Sequence, residues 1–296
     1  MRRGLNWKGA APGALLLFLA GAAVAAEARL LAPPPGVAAG GITALAAAGE
    51  RLFAGTREQG IVAYDTATGT SARYTRNEGL PSDRVRSLAV FRGKVYAGTS
   101  EGIGVFDGKR WTGMTEAGGV AMRNVVLAAS PSERELWACS MTLNGGTVRF
   151  DGAAWTFMGG EGRGLFNDIS SFAFPEDGVA MGSQAGAVYL RRGAEVEALG
   201  RSFPTVTVFA LSERGGTLYA GTSGGLYVWR GAGWTPALVP PAFEGKAVFC
   251  LLRVDLDMVV AGLEGVAVLD RSGRQRVVSG VEGFPRGPAR ALAARG

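Results

Sequence analysis

Apolar residues in this chain come in short runs bounded by glycine-rich turns, and one run recurs. Leu52-Phe53-Ala54-Gly55-Thr56, Val95-Tyr96-Ala97-Gly98-Thr99, Leu136-Trp137-Ala138-Cys139-Ser140, Val179-Ala180-Met181-Gly182-Ser183, Leu218-Tyr219-Ala220-Gly221-Thr222 and Val259-Val260-Ala261-Gly262-Leu263 are copies of one pattern. It occurs six times, and the steps from Gly55 through Gly98, Cys139, Gly182, Gly221 and Gly262 are 43, 41, 43, 39 and 41 residues. A steady period of this length marks a repeat architecture. After a glycine, each copy leads into a second apolar run: Ile61 to Asp65, Ile103 to Asp107, Val148 to Asp151, Val188 to Arg191, Leu226 to Arg230 and Val266 to Asp270. A further run begins near Trp111, Trp155 and Trp234, and each copy is preceded by one more, such as Val85-Arg86-Ser87-Leu88. Four short strands per repeat follow.

Alternation within these runs is weak, so both faces of each small sheet must be buried. A two-layer sandwich would alternate more cleanly. Radial packing of four-stranded sheets buries both faces and leaves only short edges exposed, so the expected fold is all-β, a β-propeller of six antiparallel blades over about Ile42 to Ser279. Two fragments are left over. Ala28-Arg29-Leu30-Leu31 has the character of a fourth strand and Ala289-Arg290-Ala291-Leu292 that of a first. Together they could close the ring as an incomplete seventh blade, the alternative to six blades with terminal extensions.

The first 26 residues read differently. Basic Met1-Arg2-Arg3 and Lys8 precede the apolar run Ala14-Leu15-Leu16-Leu17-Phe18-Leu19-Ala20 and the small residues Ala22 to Ala26, the layout of a signal peptide cleaved near Ala26. The apolar run is short for a spanning helix, which needs about 20 residues. Residues 27–296 are then one domain in the periplasm or outside the cell, with no stable membrane anchor once the leader is cut. Cleavage removes Arg2, Arg3 and Lys8, taking the formal charge from +6 to +3. The remaining charges are interspersed, and without a basic stripe nucleic acid is not an expected partner.

The chain has no histidine. That excludes imidazole general bases, imidazole metal ligands and Ser-His-Asp triads. A two-carboxylate glycosidase remains open, with Asp83, Glu101 or Asp168 as candidates. Asp65, Asp107, Asp151 and Asp270 recur at one repeat position, beside turn glycines at Gly108 and Gly152, and read as turn formers. The phased Trp111, Trp155 and Trp234 read as packing residues. Cys139 and Cys250 fall at different repeat positions on distant blades, so two buried free thiols are expected, with no metal site and no cofactor.

Gly79-Leu80-Pro81-Ser82-Asp83-Arg84-Val85-Arg86-Ser87-Leu88, followed by Val95 to Thr99 and Gly102-Ile103-Gly104-Val105-Phe106-Asp107, resembles the two-component regulator propeller repeat family. Weaker echoes occur at Gly164 to Ile169 and at Gly283-Phe284-Pro285, and Ile61 to Gly69 is also similar to quinoprotein-type repeats. The resemblance implies a propeller. It further implies a periplasmic sensing role, in some members toward oligosaccharides, although here no second apolar span or signalling domain follows the repeats. A detached binding subunit is the form such a role would take.

Repeats share their packing residues, so binding should use what differs between them. Connections from fourth to first strand and from second to third strand lie on one rim, and their polar residues are Asp83, Arg84, Arg123, Asn124, Asn144, Asn167, Asp168 and Lys246. These are the expected ligand-binding residues of a non-catalytic module for a polar small molecule, an oligosaccharide or an envelope protein. A carbohydrate-active enzyme and a structural subunit of an envelope assembly are the alternatives.

Overall fold

The computed structural model describes residues 16–20, 27–31, 41–159, 166–200, 203, 207–255, 257–270, 272, 274–277 and 288–295. The expected leader, apart from Leu16–Ala20, lies outside them. The fold is all-β, with six four-stranded antiparallel blades, each a meander. Blade one comprises Ile42–Ala48, Arg51–Thr56, Ile61–Asp65 and Ser71–Tyr74. The first strands of blades two to six are Val85–Phe91, Val125–Ala129, Ile169–Ala173, Val208–Arg214 and Val248–Val254. They line the central channel. The recurring motif is the second strand of every blade and is buried along nearly its whole length. Among the described residues no helix is long and apolar enough to cross a membrane.

The motif glycine has a physical reason. A Cβ on Gly98 would lie 2.3 Å from the carbonyl oxygen of Val125, the first residue of the next blade's inner strand. At the tight connection before the third strand, Gly60 adopts φ +72°, and a Cβ there would lie 2.0 Å from the Tyr74 carbonyl oxygen. Blade three carries Cys139 where the other blades have glycine. Its Sγ donates to the Phe166 carbonyl at 3.4 Å, so the thiol occupies the junction with blade four.

The expected turn aspartates act as such. Oδ1 of Asp107 accepts the backbone N–H groups of Lys109 and Arg110, and Asp65, Asp151 and Asp270 accept equivalent pairs. The tryptophans pack: Trp111 is buried with Phe53 and Phe106, Trp155 stacks on Phe150, and Trp234 donates its indole N–H to the Leu199 carbonyl at 2.7 Å. Both cysteines are free thiols, Cys139 buried and Cys250 partly exposed toward the channel. Burial pushes them up to about 12 and about 11 respectively.

Both chain ends contribute to the closure of the ring. Leu292–Arg295 is inserted between blades six and one as a seventh inner strand. Ala291 and Ala293 pack on Ile42, Leu45 and Leu52 of blade one, while Ala289 and Leu292 pack on Val259, Ala261 and Val266 of blade six. Leu16–Ala20 pairs parallel with this strand and antiparallel with Glu27–Leu31, giving a three-stranded closing sheet. The propeller thus has the six expected four-stranded blades, with the two chain ends joined in a separate three-stranded sheet at the seam. That sheet's middle strand is drawn from the apolar stretch expected in the leader, an addition the repeat pattern does not show.

Candidate functional site

The channel holds a cavity of about 540 Å³, walled by the first strands and by Arg290 to Leu292. Its lining depends on a register shift. In blade one, Ile42 faces Thr56 and Ala44 faces Gly55, so Thr43 is an extra residue opposite none. The same bulge places Arg86, Ser170, Phe209 and Phe249 in blades two, four, five and six. Blade three, which lacks the glycine, has no bulge, and Val126 pairs directly with Cys139. A bulge bends the strand and re-aims the side chain of its extra residue.

Two of the bulge residues are spent on structure. Thr43 donates its hydroxyl to the Val85 carbonyl at 2.7 Å and Ser170 to the Val208 carbonyl at 2.5 Å, each stitching its blade to the next. In blade two the stitch has moved one residue along, Ser87 to the Val125 carbonyl, which releases Arg86. Arg86 instead donates Nε–H to Asn124 Oδ1 at 3.2 Å. Burial, and secondarily the charge of Arg84, pulls its guanidinium below the ordinary arginine range.

Going round the ring, Arg86 and Arg290, on either side of the neutral Thr43, form a cationic arc, followed by Phe249 and Phe209. The Arg290 guanidinium sits 4.6 Å from the Phe249 ring centre, and the two phenylalanine rings lie 5.4 Å apart at 57°. Among the described residues neither Arg86 nor Arg290 is in an ion pair. Among the described residues the single carboxylate in the cavity wall, Glu213, pairs with Arg253 at 2.6 Å. The cavity therefore offers two guanidiniums to an acceptor-rich group and an aromatic face to an apolar one, an arrangement suited to an amphipathic polar ligand.

The loop residues singled out from the sequence lie around this mouth and outside its wall. Backbone hydrogen bonds from Ser100 to Arg84, Met141 to Arg123 and Gln184 to Asp168 confirm that the two sets of connections share one face. Asp83 accepts the Arg76 backbone N–H at 2.8 Å, and Glu101 pairs with the Arg76 guanidinium at 2.5 Å. Asn167 donates to the Leu143 carbonyl at 3.3 Å. Arg84, Arg123, Asn144 and Lys246 are exposed on the rim and Asp168 is half-buried there. Asn124, at φ +48°, is the one that reaches the channel, through Arg86. Arg86, Phe209 and Phe249 are absent from the loop reading because they stand one residue inside the strand, and Arg290 because it lies just before the closing strand Leu292–Arg295. Their signal is the position just after the first apolar residue of each inner strand, where the repeats read Thr43, Arg86, Val126, Ser170, Phe209 and Phe249.

No family model matches this chain, and no curated protein matches it. Among solved structures it is similar to the extracellular domain of BT3049 from B. thetaiotaomicron, described as a hybrid two component system. The TM-score is 0.67 and the identity 15%, over 86% of this chain and 36% of that one. The corresponding domain of BT4673 from the same organism gives 0.60 and 15%, over 77% and 32%. The computationally designed Ika8 protein gives 0.62 and 16%, over 94% and 90%. The chain thus spans about a third of the length of the two extracellular domains. At these identities the likeness shows the fold, a propeller of the kind found in those domains, as the regulator-type repeat implied.

Proposed function

We propose that this chain is an exported, non-catalytic binding module, a detached sensor subunit that holds a polar ligand at the mouth of its propeller channel. The observation that carries this reading is the pairing of Arg86 and Arg290, both free of ion pairs among the described residues, with the Phe209 and Phe249 rings in one cavity. Arginine forks recognise carboxylates and hydroxyl-rich groups, and an aromatic face accepts the apolar side of a sugar or other ring. Exposed Arg84, Arg123, Asn144 and Lys246 on the rim would extend contact to an oligosaccharide longer than the cavity. Fold likeness to extracellular domains of two component systems supports the export and sensing parts of the reading, as does the sequence of the first 26 residues.

A two-carboxylate hydrolase has less support. It requires a second carboxyl about 5 to 9.5 Å from the first, whereas among the described residues the cavity wall holds Glu213 alone, tied to Arg253. Asp83 and Glu101 are engaged with Arg76.

The test is a thermal-shift and calorimetric screen of neutral and acidic oligosaccharides and small carboxylates. A ligand of the wild-type protein should bind at least about tenfold more weakly to Arg86→Gln/Arg290→Gln, each lost charge-assisted hydrogen bond being worth about 1.5 to 3 kcal/mol. Undiminished binding by a folded double variant would remove the mouth as the site.

A further inference from the structure

A second basin opens on the opposite face, where first strands turn into second strands. It measures about 700 Å³, larger than the channel cavity, and lies across blades three, four and five, with Arg253 of blade six at its side. Arg149 and Arg191 both line it. Each breaks the repeat in the same manner. The residue paired with the position two before the motif glycine is Ala63, Val105, Leu190, Val228 or Ala267 in the other blades, and Arg149 in blade three. The residue paired with the position three before it is Tyr64, Phe106, Phe150 or Val268 where that pair forms, and Arg191 in blade four. Packing alone would put an apolar side chain at both places. Two neighbouring blades have instead replaced one with a guanidinium, and both guanidiniums face one cavity.

Their charge is under-compensated. Arg149 donates to Glu135 at 3.1 Å, but the other Glu135 oxygen is taken by the Trp137 indole N–H at 2.8 Å, and Arg149 Nε is buried without a partner. Arg191 is held by two carbonyls, those of Met158 at 3.0 Å and Gly193 at 2.9 Å, and by no carboxylate among the described residues. Burial first, and then the charge of Arg149, pulls Arg191 below the ordinary arginine range, as expected for two cations sharing a pocket. Of the other charges on the lining, Arg253 and Glu213 pair with each other, and Arg134 and Glu176 are exposed at the edge. Trp137, Met158 and Phe174 supply an apolar floor.

We propose that this basin is a second ligand site, one that takes a small oxyanion, phosphate or carboxylate, between Arg149 and Arg191. The anion supplies the acceptor that Glu135 cannot, and planar guanidiniums suit the geometry of both groups. The site lies at the other end of the ring from the Arg86 mouth, with Pro131, Phe174, Glu213 and Arg253 forming the wall shared by the two cavities.

The Trp137 indole N–H reports on it directly, since that proton is bonded to Glu135 inside the basin. In 15N-1H spectra, with the Trp137 signal assigned from Trp137→Phe, inorganic phosphate and, separately, acetate are titrated against sodium chloride of equal ionic strength. A saturable shift of that signal with phosphate or acetate is expected, with the other indole signals still. Arg191→Gln should weaken the response at least about tenfold. Glu135→Gln, which keeps an acceptor for Trp137 but removes the competing charge, should strengthen it. No saturable shift with either anion, or a response that both substitutions leave unchanged, overturns the proposal. Tightening in Glu135→Gln separates anion binding from a fold that has merely been damaged.

Discussion

Arg290, on the segment that closes the ring, lies with its guanidinium 4.6 Å from the centre of the Phe249 ring of blade six. The contact joins the cationic and aromatic arcs of the channel mouth across the seam where the chain ends meet. A cation over a ring is worth about 0.5 to 2 kcal/mol. Phe249→Leu keeps an apolar side chain at this half-buried position but removes the ring. It should leave the thermal midpoint within a few degrees of wild type while weakening a mouth ligand about tenfold, measured by calorimetry beside differential scanning.

Blade junctions depend on the motif glycine. Gly98→Ala drives a Cβ to 2.3 Å from a backbone oxygen of blade three, which cannot swing aside as a side-chain tip can. Overpacking of this kind costs about 1 to 3 kcal/mol or more. Gly41→Ala meets nothing within 4 Å and should be close to neutral, so denaturant midpoints of the two variants should separate clearly.

Ring closure rests on the short strand Leu292–Arg295 and the alanines that precede it. Leu292 is buried against blade six, and Leu292→Ala should lose about 2 to 4 kcal/mol in urea unfolding. Leu143→Ala, at a site 92% exposed, serves as the reference and should lose almost nothing. The buried contacts of Ala289, Ala291, Leu292 and Ala293 are with blades six and one. A chain beginning at Glu27 should therefore still unfold in one cooperative transition.

Low pH should act through the turn aspartates. Backbone N–H donors hold the Asp65, Asp107 and Asp151 carboxyls below the ordinary value of 3.8, as does the Ser272 hydroxyl together with backbone donors for Asp270. A lowered folded-state value stabilises the fold above the unfolded-state value, and that contribution is lost as pH falls through the folded-state one. Asp107→Asn/Asp151→Asn should thus differ from wild type at neutral pH and converge with it as the pH falls through the lowered folded-state values, read from thermal midpoints across the acid range.

Blades, turns and core tryptophans were legible in the sequence because each recurs in phase, and recurrence at one period has few structural explanations. Closure was half legible. Ala289 to Leu292 reads as an inner strand, but pairing with Leu16–Ala20 joins residues from opposite ends of the chain, and no local pattern encodes that. The channel lining was least legible. Thr43, Arg86, Ser170, Phe209 and Phe249 face the cavity because of a register shift, and a shift is a property of two paired strands, invisible in the hydropathy of one. The column of residues that varies along the channel wall lies one residue inside the strand, past the loops where Arg84 and Arg123 stand.

The most direct measurement sets these two groups of arginines against each other. Calorimetric titration of a ligand found in the screen should show binding to Arg84→Ala/Arg123→Ala within about threefold of wild type. Arg86→Gln/Arg290→Gln should bind at least about tenfold more weakly at an unchanged thermal midpoint. The reverse order, with the rim pair essential and the mouth pair dispensable, would contradict a binding site in the channel mouth.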